Sequence, residues 1–353
     1  MRVHIVLFNL YSILENQVMY SMQRNSKGAA FWRFVGHFFA VLGTTLLALV
    51  ITVVGICWVL FKGPSPTARD LFTQSLMETS ALKFVPSIFL SKEKVKDIIE
   101  GNAVIETDES TDTTTEFTEK EDDVDLQTIE VLNISGPAYS GKLMIVHDPS
   151  RVRFASLDTF GETIVGKNIH KFAEENNAVA AVNGGGFWDE EGKGLGGLPT
   201  GIVIRDGKLV YGAESDVTSL IGFDNNNRLI VGRMSAKKAL DQNMRDAVSF
   251  GPAFIINGTP AEISGISGGV NPRTVVGQRA DGAVLILVID GRQPQSIGAT
   301  YKDCIEVMME HGAINAANLD GGTSTAMLYN GEIINHRYAF GGLRKLPTAL
   351  IVV

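Results

Sequence analysis

From Phe38 to Phe61 the chain runs 24 residues without a charge. As a helix this stretch extends about 36 Å, against a hydrocarbon core of about 30 Å. The pattern predicts one membrane-spanning helix over residues 38–61. Signal peptides carry shorter apolar regions, of about 7–15 residues, closed by small residues, whereas bulky Trp58, Leu60 and Phe61 close this one. Ile56 stands where a lipoprotein signal would have Gly, Ala or Ser, which argues against lipid attachment at Cys57. Beyond the span, residues 62–101 mix apolar Leu71, Phe72, Leu76, Leu82, Phe84 and Val85 with Lys and Glu at roughly helical spacing, which reads as a juxtamembrane stalk helix.

From residue 128 to 353 the pattern becomes short apolar runs separated by Gly, Asn and Asp, the signature of strands and turns. Lys142 to Val146, Val152 to Ser156, Ala178 to Val182, Gly201 to Ile204, Lys208 to Tyr211, Arg228 to Val231, Ala253 to Ile256, Val284 to Ile289 and Ala349 to Val353 read as strands. Gly166 to Asn177 and Ala236 to Arg245 read as helices, and Thr300 to His311 more clearly so. There Tyr301, Cys304, Ile305 and Met308 fall at i, i+3, i+4 and i+7 behind a Thr300/Asp303 capping pair. Strands outnumber helices in an irregular order, which predicts an α+β domain on a mixed sheet flanked by helices.

Charge divides the chain further. Residues 102–127 are an acidic, Thr-rich stretch that reads as a disordered linker. The net charge of −8 sits in that stretch, leaving the remainder near neutral and without a basic surface for nucleic acid. Arg2, Arg24, Lys27 and Arg33 precede the span, so the positive-inside bias places residues 1–37 in the cytoplasm and exports everything after Lys62. Cys57 lies in the span and Cys304 far beyond it, so no disulfide staples the exported domain.

Four clusters gather Gly, Asn, Asp, Arg and Thr just after apolar strands. In AAVNGGGFWD, Asn183 leads into Gly184 and Gly185, whose amides are able to face an anion. VNPRTVVGQ offers Arg273 and Thr274, and an arginine at a strand start grips a phosphate with two parallel hydrogen bonds. LVIDGRQPQ ends a strand at Asp290 with Arg292 two residues on, facing the same side of an extended chain. AANLDGGTSTAML presents Asp320, Gly321, Gly322, Thr323 and Ser324. Each alone is an ordinary turn; together they supply the carboxylates, guanidinium groups, amide and hydroxyls that a phosphorylated sugar requires.

In this order and spacing, NGGGF, NPRT, DGR and NLDGGTST resemble the phosphodiester glycosidase family over roughly Leu132 to Val353. The anchored layout is also similar to its bacterial, exopolysaccharide-biosynthesis-type members. The family more often carries three glycines and then serines after the Asp, where this chain has two glycines and Thr323, Ser324 and Thr325. Arg344 to Pro347 also loosen the family's closing Glu-Arg-Pro. The resemblance implies hydrolysis of a sugar 1-phosphodiester such as a GlcNAc-1-phosphodiester at the glycosidic bond. It implies Asp290 and Asp320 as catalytic carboxylates, with Asn183, Gly184, Gly185, Arg273, Thr274, Arg292, Gly321, Gly322, Thr323 and Ser324 around substrate and phosphate. The substrate would be a cell-surface glycan or polysaccharide; a non-catalytic glycan-binding module carries the same motifs, and cleavage of the P–O bond by a metal-dependent phosphodiesterase is a third reading. His147, His170, His311 and His336 are scattered, with no paired Cys or HExxH motif, so no metal set is defined, although the carboxylates suit Ca²⁺ or Mg²⁺.

Overall fold

The computed structural model describes residues 2–79, 81–105, 107–119, 125–189, 194–337 and 342–353, in two compact units, Met1–Gly63 and Pro64–Val353. The first unit is one helix, α1 (Arg2–Lys62), which contains residues 38–61 and continues through the segment before them. Its Ala30–Lys62 portion is long and apolar enough to cross a membrane.

In the second unit, residues 62–101 form three helices rather than one stalk helix: α2 (Pro66–Met77), α3 (Pro86–Phe89) and α4 (Lys92–Gly101). Local chemistry explains the breaks. Ser65 caps α2 by accepting from Ala68 N with Pro66 in the first turn, Pro86 opens α3, and Ser91 caps α4 by accepting from Lys94 N. Gln74 Nε2 donates to Ile98 O (3.2 Å), tying α2 to α4, while Ser75 Oγ accepts from Val270 N (2.8 Å), tying α2 to the β-domain.

The acidic stretch also differs from its expected disorder. Val104 bridges Ile263, Ser110 bridges Gly232, Thr118 N donates to Ala280 O, and the ring of Phe117 lies 5.7 Å from the Arg228 guanidinium. Thr111 is buried, with its hydroxyl 3.2 Å from Asn315 Oδ1. Composition counts the charges, but the few Val, Thr and Phe residues between them dock on the domain. Residues 106 and 120–124 of this stretch lie outside the described residues.

The domain is α+β, built on three antiparallel sheets rather than one mixed sheet. Numbered in chain order, the first sheet runs β1 (Ile129–Ser135), β2 (Ser140–Val146), β13 (Val284–Ile289), β12 (Arg273–Arg279), β14 (Ala313–Leu319), β10 (Ala253–Ile256), β11 (Thr259–Pro260). The second runs β16 (Glu332–Ile333), β15 (Met327–Tyr329), β4 (Ala180–Asn183), β17 (Thr348–Val352), β3 (Val152–Ser156). The third runs β6 (Lys208–Tyr211), β5 (Val203–Arg205), β9 (Met244–Ser249), β7 (Val217–Asp224), β8 (Leu229–Ser235). Val288, Val276, Val182, Leu350, Phe223 and Val248 draw all three sheets into one core. Helix α5 (Ile169–Glu175) packs on the second sheet through Ile169 and Phe172, and α6 (Ala236–Asp241) on the third. The latter stops short of the expected Arg245 because β9 begins at Met244. Helix α7 (Tyr301–Glu310) carries the full capping box and lays Cys304, Ile305 and Met308 on the first sheet, as its spacing requires.

Register then places the site. β12 starts at Arg273, opposite Ile289 on one side, while Thr274 pairs with Leu319 on the other. Asp290 and Asp320 therefore leave their strands on either side of Arg273. β4 ends at Asn183 in the adjoining sheet.

Candidate active site

A cavity of about 470 Å³ opens at these strand ends, lined by Asp320, Gly321, Gly322, Thr323, Ser324, Asn271, Arg273, Arg292 and Asn318 together with Phe187, Asp189 and Arg344. Glu78, Thr79, Ala81 and Leu82, from the turn after α2, complete the wall.

Asp320 is its chemical centre. Oδ1 accepts from Gly321 N (2.9 Å), while Oδ2 is buried without a hydrogen-bond partner among the described residues. Burial pushes the carboxyl up to about 6; the nearby Ser324 hydroxyl, the Gly321 amide and Arg344 hold it down, and Asp189 adds to the rise. Asn318, two residues earlier on β14, shares its face. Its Nδ2 donates to Gly251 O (3.0 Å), and its Oδ1 is also buried and unpartnered among the described residues. Two oxygens on one wall thus lack donors, a state that a ligand's hydroxyl groups relieve.

The two expected phosphate arginines divide their roles. Four of the five N–H groups of Arg273 are committed: Nε to Ala299 O (3.1 Å), Nη1 to Glu78 Oε2 (2.7 Å), and Nη2 to Gly268 O and to Gly269 O (3.1 Å). Its guanidinium also lies 4.4 Å from the Tyr301 ring centre, and Tyr301 donates to Glu78 Oε1 (3.0 Å). Arg273 is therefore part of the wall's framework. Arg292 is less engaged: among the described residues its side chain donates only to Asn271 Oδ1 (3.1 Å). Burial and the neighbouring Arg273 cation push the Arg292 guanidinium below its ordinary range, with Glu78 opposing, so an arriving anion is favoured there. Arg292 holds φ +60°, a left-handed conformation uncommon for a residue with a Cβ and one that clusters at functional sites.

The Asn-Gly-Gly-Gly cluster supports the site rather than facing a ligand. Asn183 is fully buried; its Nδ2 donates to the Asp320 carbonyl, and its Oδ1 accepts from Thr274 Oγ1 (2.8 Å) and Ala326 N (3.3 Å). Thr274, expected near the substrate, is likewise buried and committed to Asn183. The amides expected to cradle an anion are used internally: Gly184 N donates to Thr348 O (3.2 Å) and Gly185 N to Thr348 Oγ1 (3.0 Å). Glycine is needed here for close approach, because a Cβ on Gly184 would sit 2.5 Å from Thr348 Oγ1.

Asp290 faces elsewhere. It lines a smaller cleft with Asn335, His336 and Arg337 and accepts from Asn335 Nδ2 (3.0 Å). Burial raises its carboxyl, with the Asn335 amide opposing. Gly322 and Thr323 line both spaces, so the two expected carboxylates stand on opposite sides of that turn. Among the described residues no group of three or more His, Cys, Asp or Glu gathers in a metal-binding arrangement.

Sequence reasoning missed several wall residues. Asp189 pairs with Arg344 (2.8 Å), whose guanidinium lies 5.3 Å from the Phe187 ring centre. Phe187 and Asp189 lie within AAVNGGGFWD and Asn318 within AANLDGGTSTAML, but none of the three carries a signal of its own. Glu78 lay in the presumed stalk, where nothing local connects it to Arg273. Glu78→Ala leaves the buried Arg273 cation without its carboxylate. It is expected to cost about 2 kcal/mol, below the full buried-pair figure because Glu78 keeps partial exposure, read as a lower urea midpoint. An unchanged midpoint would refute the framework role of this pair.

A family profile described as phosphodiester glycosidase matches residues 176–353. The chain is similar to the SPbeta prophage-derived uncharacterized protein YomE of Bacillus subtilis (strain 168), 28% identical over 180 residues, covering 48% of this chain and 27% of that protein. It is similar to N-acetylglucosamine-1-phosphodiester alpha-N-acetylglucosaminidase of Mus musculus, 27% identical over 228 residues, covering 58% of this chain and 43% of that protein. The Bos taurus enzyme of that name is 26% identical over 186 residues, covering 48% and 34%. The matches thus span between 27% and 43% of the length of these relatives. The zebrafish enzyme's catalytic domain, solved auto-inhibited by its pro-peptide, shares the fold with a TM-score of 0.53 at 21% identity, covering 69% of this chain and 87% of that one.

Proposed function

Because the chain belongs to the phosphodiester glycosidase family, we propose that its C-terminal domain hydrolyses a sugar 1-phosphodiester at the glycosidic bond, releasing the sugar and a phosphomonoester. The observation that carries this reading is Asp320: a buried carboxyl raised to about 6, with an unpartnered oxygen, in a cavity that also holds Arg292.

In the proposed reaction the sugar occupies the wall of Asn318 and Asp320, donating hydroxyl hydrogens to their oxygens, and the phosphate meets Arg292. Water attacks the anomeric carbon, the C–O bond breaks, and the bonding pair leaves on the phosphate oxygen. The departing phosphomonoester has a second pKa near 6, so it leaves with little help from an acid. The proton that needs a home is the water's, and Asp320 takes it. A carboxylate with a raised pKa is a stronger base than an ordinary one while remaining ionised at neutral pH. Arg344, held by Asp189, stabilises the ionised form of Asp320. In this reading Asp290 orients the Asn335 turn from the neighbouring cleft.

The same proposal includes location. The apolar helix anchors the chain through residues 38–61, residues 1–37 lie in the cytoplasm, and the domain meets cell-surface glycan or polysaccharide outside. Glu78, Thr79, Ala81 and Leu82 of the segment after the apolar helix line the cavity, so the test uses the full chain in detergent. A GlcNAc-1-phosphodiester should yield free sugar and phosphomonoester, and hydrolysis in ¹⁸O water should label the sugar. The base must be ionised, so kcat/KM should rise with pH through about 6 and level above it. A parallel assay in EDTA reads any dependence on Ca²⁺ or Mg²⁺. Binding without turnover across a panel of sugar phosphodiesters would replace the enzyme with a glycan-binding module, and label in the phosphate would replace it with a phosphodiesterase.

A further inference from the structure

The cavity wall continues outward as an apolar surface left exposed among the described residues. Ala81 and Leu82 line the cavity beside Arg292 and Asp320, and Leu82 is 47% exposed. Just beyond them Phe84 is 60% and Ile88 65% exposed. These are not side chains of a loose segment. Val85 N donates to Leu82 O (3.0 Å), Ser87 N to Phe84 O (3.2 Å) and Ile88 N to Val85 O (3.0 Å), so the backbone turns helically from Leu82 into α3. That geometry sets Phe84 and Ile88, four residues apart, on one face. Both flanks are held: Glu78 by Arg273 before the patch, and buried Pro86, Leu90, Val95 and Ile98 within and after it. Trp188, next to the cavity-lining Phe187, is also 58% exposed.

A rigid, exposed Phe and Ile next to a polar cavity offer an apolar group a surface to lie on, and the chain itself bears on which one. The span Ala30–Lys62 ends 20 residues before Leu82, and 12 of those residues are helical in α2. With helical and extended rises of about 1.5 and 3.5 Å per residue, that tether reaches no further than about 45 Å. An anchored chain therefore keeps the patch within such a reach of lipid.

We infer that the substrate is a sugar 1-phosphodiester whose alcohol carries a long alkyl chain, with the sugar phosphate in the cavity and the chain lying along Leu82, Phe84 and Ile88. The inference rests on the glycosidase reading and assigns the class of its leaving alcohol. The leaving phosphate, held at Arg292, faces the same cavity that Leu82 and Ala81 line, so the ester's second substituent exits along this apolar track.

The test compares the hexadecyl and methyl esters of GlcNAc-1-phosphate, with the full chain reconstituted in phosphatidylcholine vesicles. The wild type should favour the hexadecyl ester in kcat/KM by roughly 30-fold beyond the bilayer's own enrichment of that ester, the scale expected when two large apolar side chains find cover. The Phe84→Ser/Ile88→Ser double variant should bring the ratio close to that of the bilayer's own enrichment of the ester, measured separately by partitioning. Turnover of the methyl ester should not change. Should the double variant fail to fold, Ile88→Ser alone, at the most exposed position, should still lower the ratio several-fold. Equal rates on the two esters overturn the inference while leaving the glycosidase reading in place. A preference as large in the variants as in the wild type assigns it to co-localisation in the bilayer and also overturns the role of the patch. Turnover of neither ester removes the glycosidase reading, and the inference with it.

Discussion

Asp320→Asn should lower kcat on a GlcNAc-1-phosphodiester by about three orders of magnitude while KM changes less than about threefold, within the usual range for loss of a general base. The substitution keeps the shape of the side chain and an oxygen able to accept from Gly321 N, so the turn Gly321–Ser324 retains its local support. It removes the group that titrates near 6, so residual turnover should also lose its dependence on pH through that region. A paired stability measurement separates chemistry from folding. Desolvation is the largest influence on Asp320 and disfavours its charged form, so an uncharged amide should not lower the urea midpoint at neutral pH. Turnover within tenfold of the wild type, with the pH limb intact, would move the proton-accepting role to another group.

Asn183→Ala should be the most destabilising of the changes considered, by about 3–5 kcal/mol, and it should impair turnover although Asn183 is not placed at the substrate. The variant strands the Asp320 carbonyl, the Thr274 hydroxyl and the Ala326 amide in the interior at once. Each unsatisfied buried group costs about 1–3 kcal/mol, and a water admitted to the gap recovers part of the total. Because one of the bonds holds the Asp320 backbone, kcat should fall along with the denaturant midpoint. Thr274→Val, which removes a single hydroxyl, should cost about 1 kcal/mol. If Asn183→Ala melted like the wild type, the linkage between the second sheet and the end of β14 would be refuted.

Much of this organisation was legible before folding. The apolar run 38–61, the face of α7 with its Thr300/Asp303 cap, and strands such as β2 and β13 all follow from spacing along a few successive residues. The order of the four motifs pointed to a family, and strand ends are where that order gathers. Elements ruled by local chemistry but read by average composition were less clear. Pro66, Pro86 and the Ser65 and Ser91 caps split the expected stalk helix, and Thr111 and Phe117 dock a stretch whose charge suggested disorder.

Individual roles in the site were not legible, because they depend on partners far along the chain. Asn183 meets Asp320 across 137 residues and Arg273 meets Glu78 across 195. Those distant contacts turn an expected substrate amide and an expected phosphate clamp into framework, and they leave Arg292 as the less engaged cation. Sequence alone determined many of the elements, the anchor candidate and the Asp, Arg and Gly inventory, since propensity and periodicity act within a few residues. Only the tertiary structure decided which carboxylate is buried with an oxygen to spare, which glycine amides are already used, and that the segment after the apolar helix forms part of the cavity, since burial and pairing are properties of the packed chain.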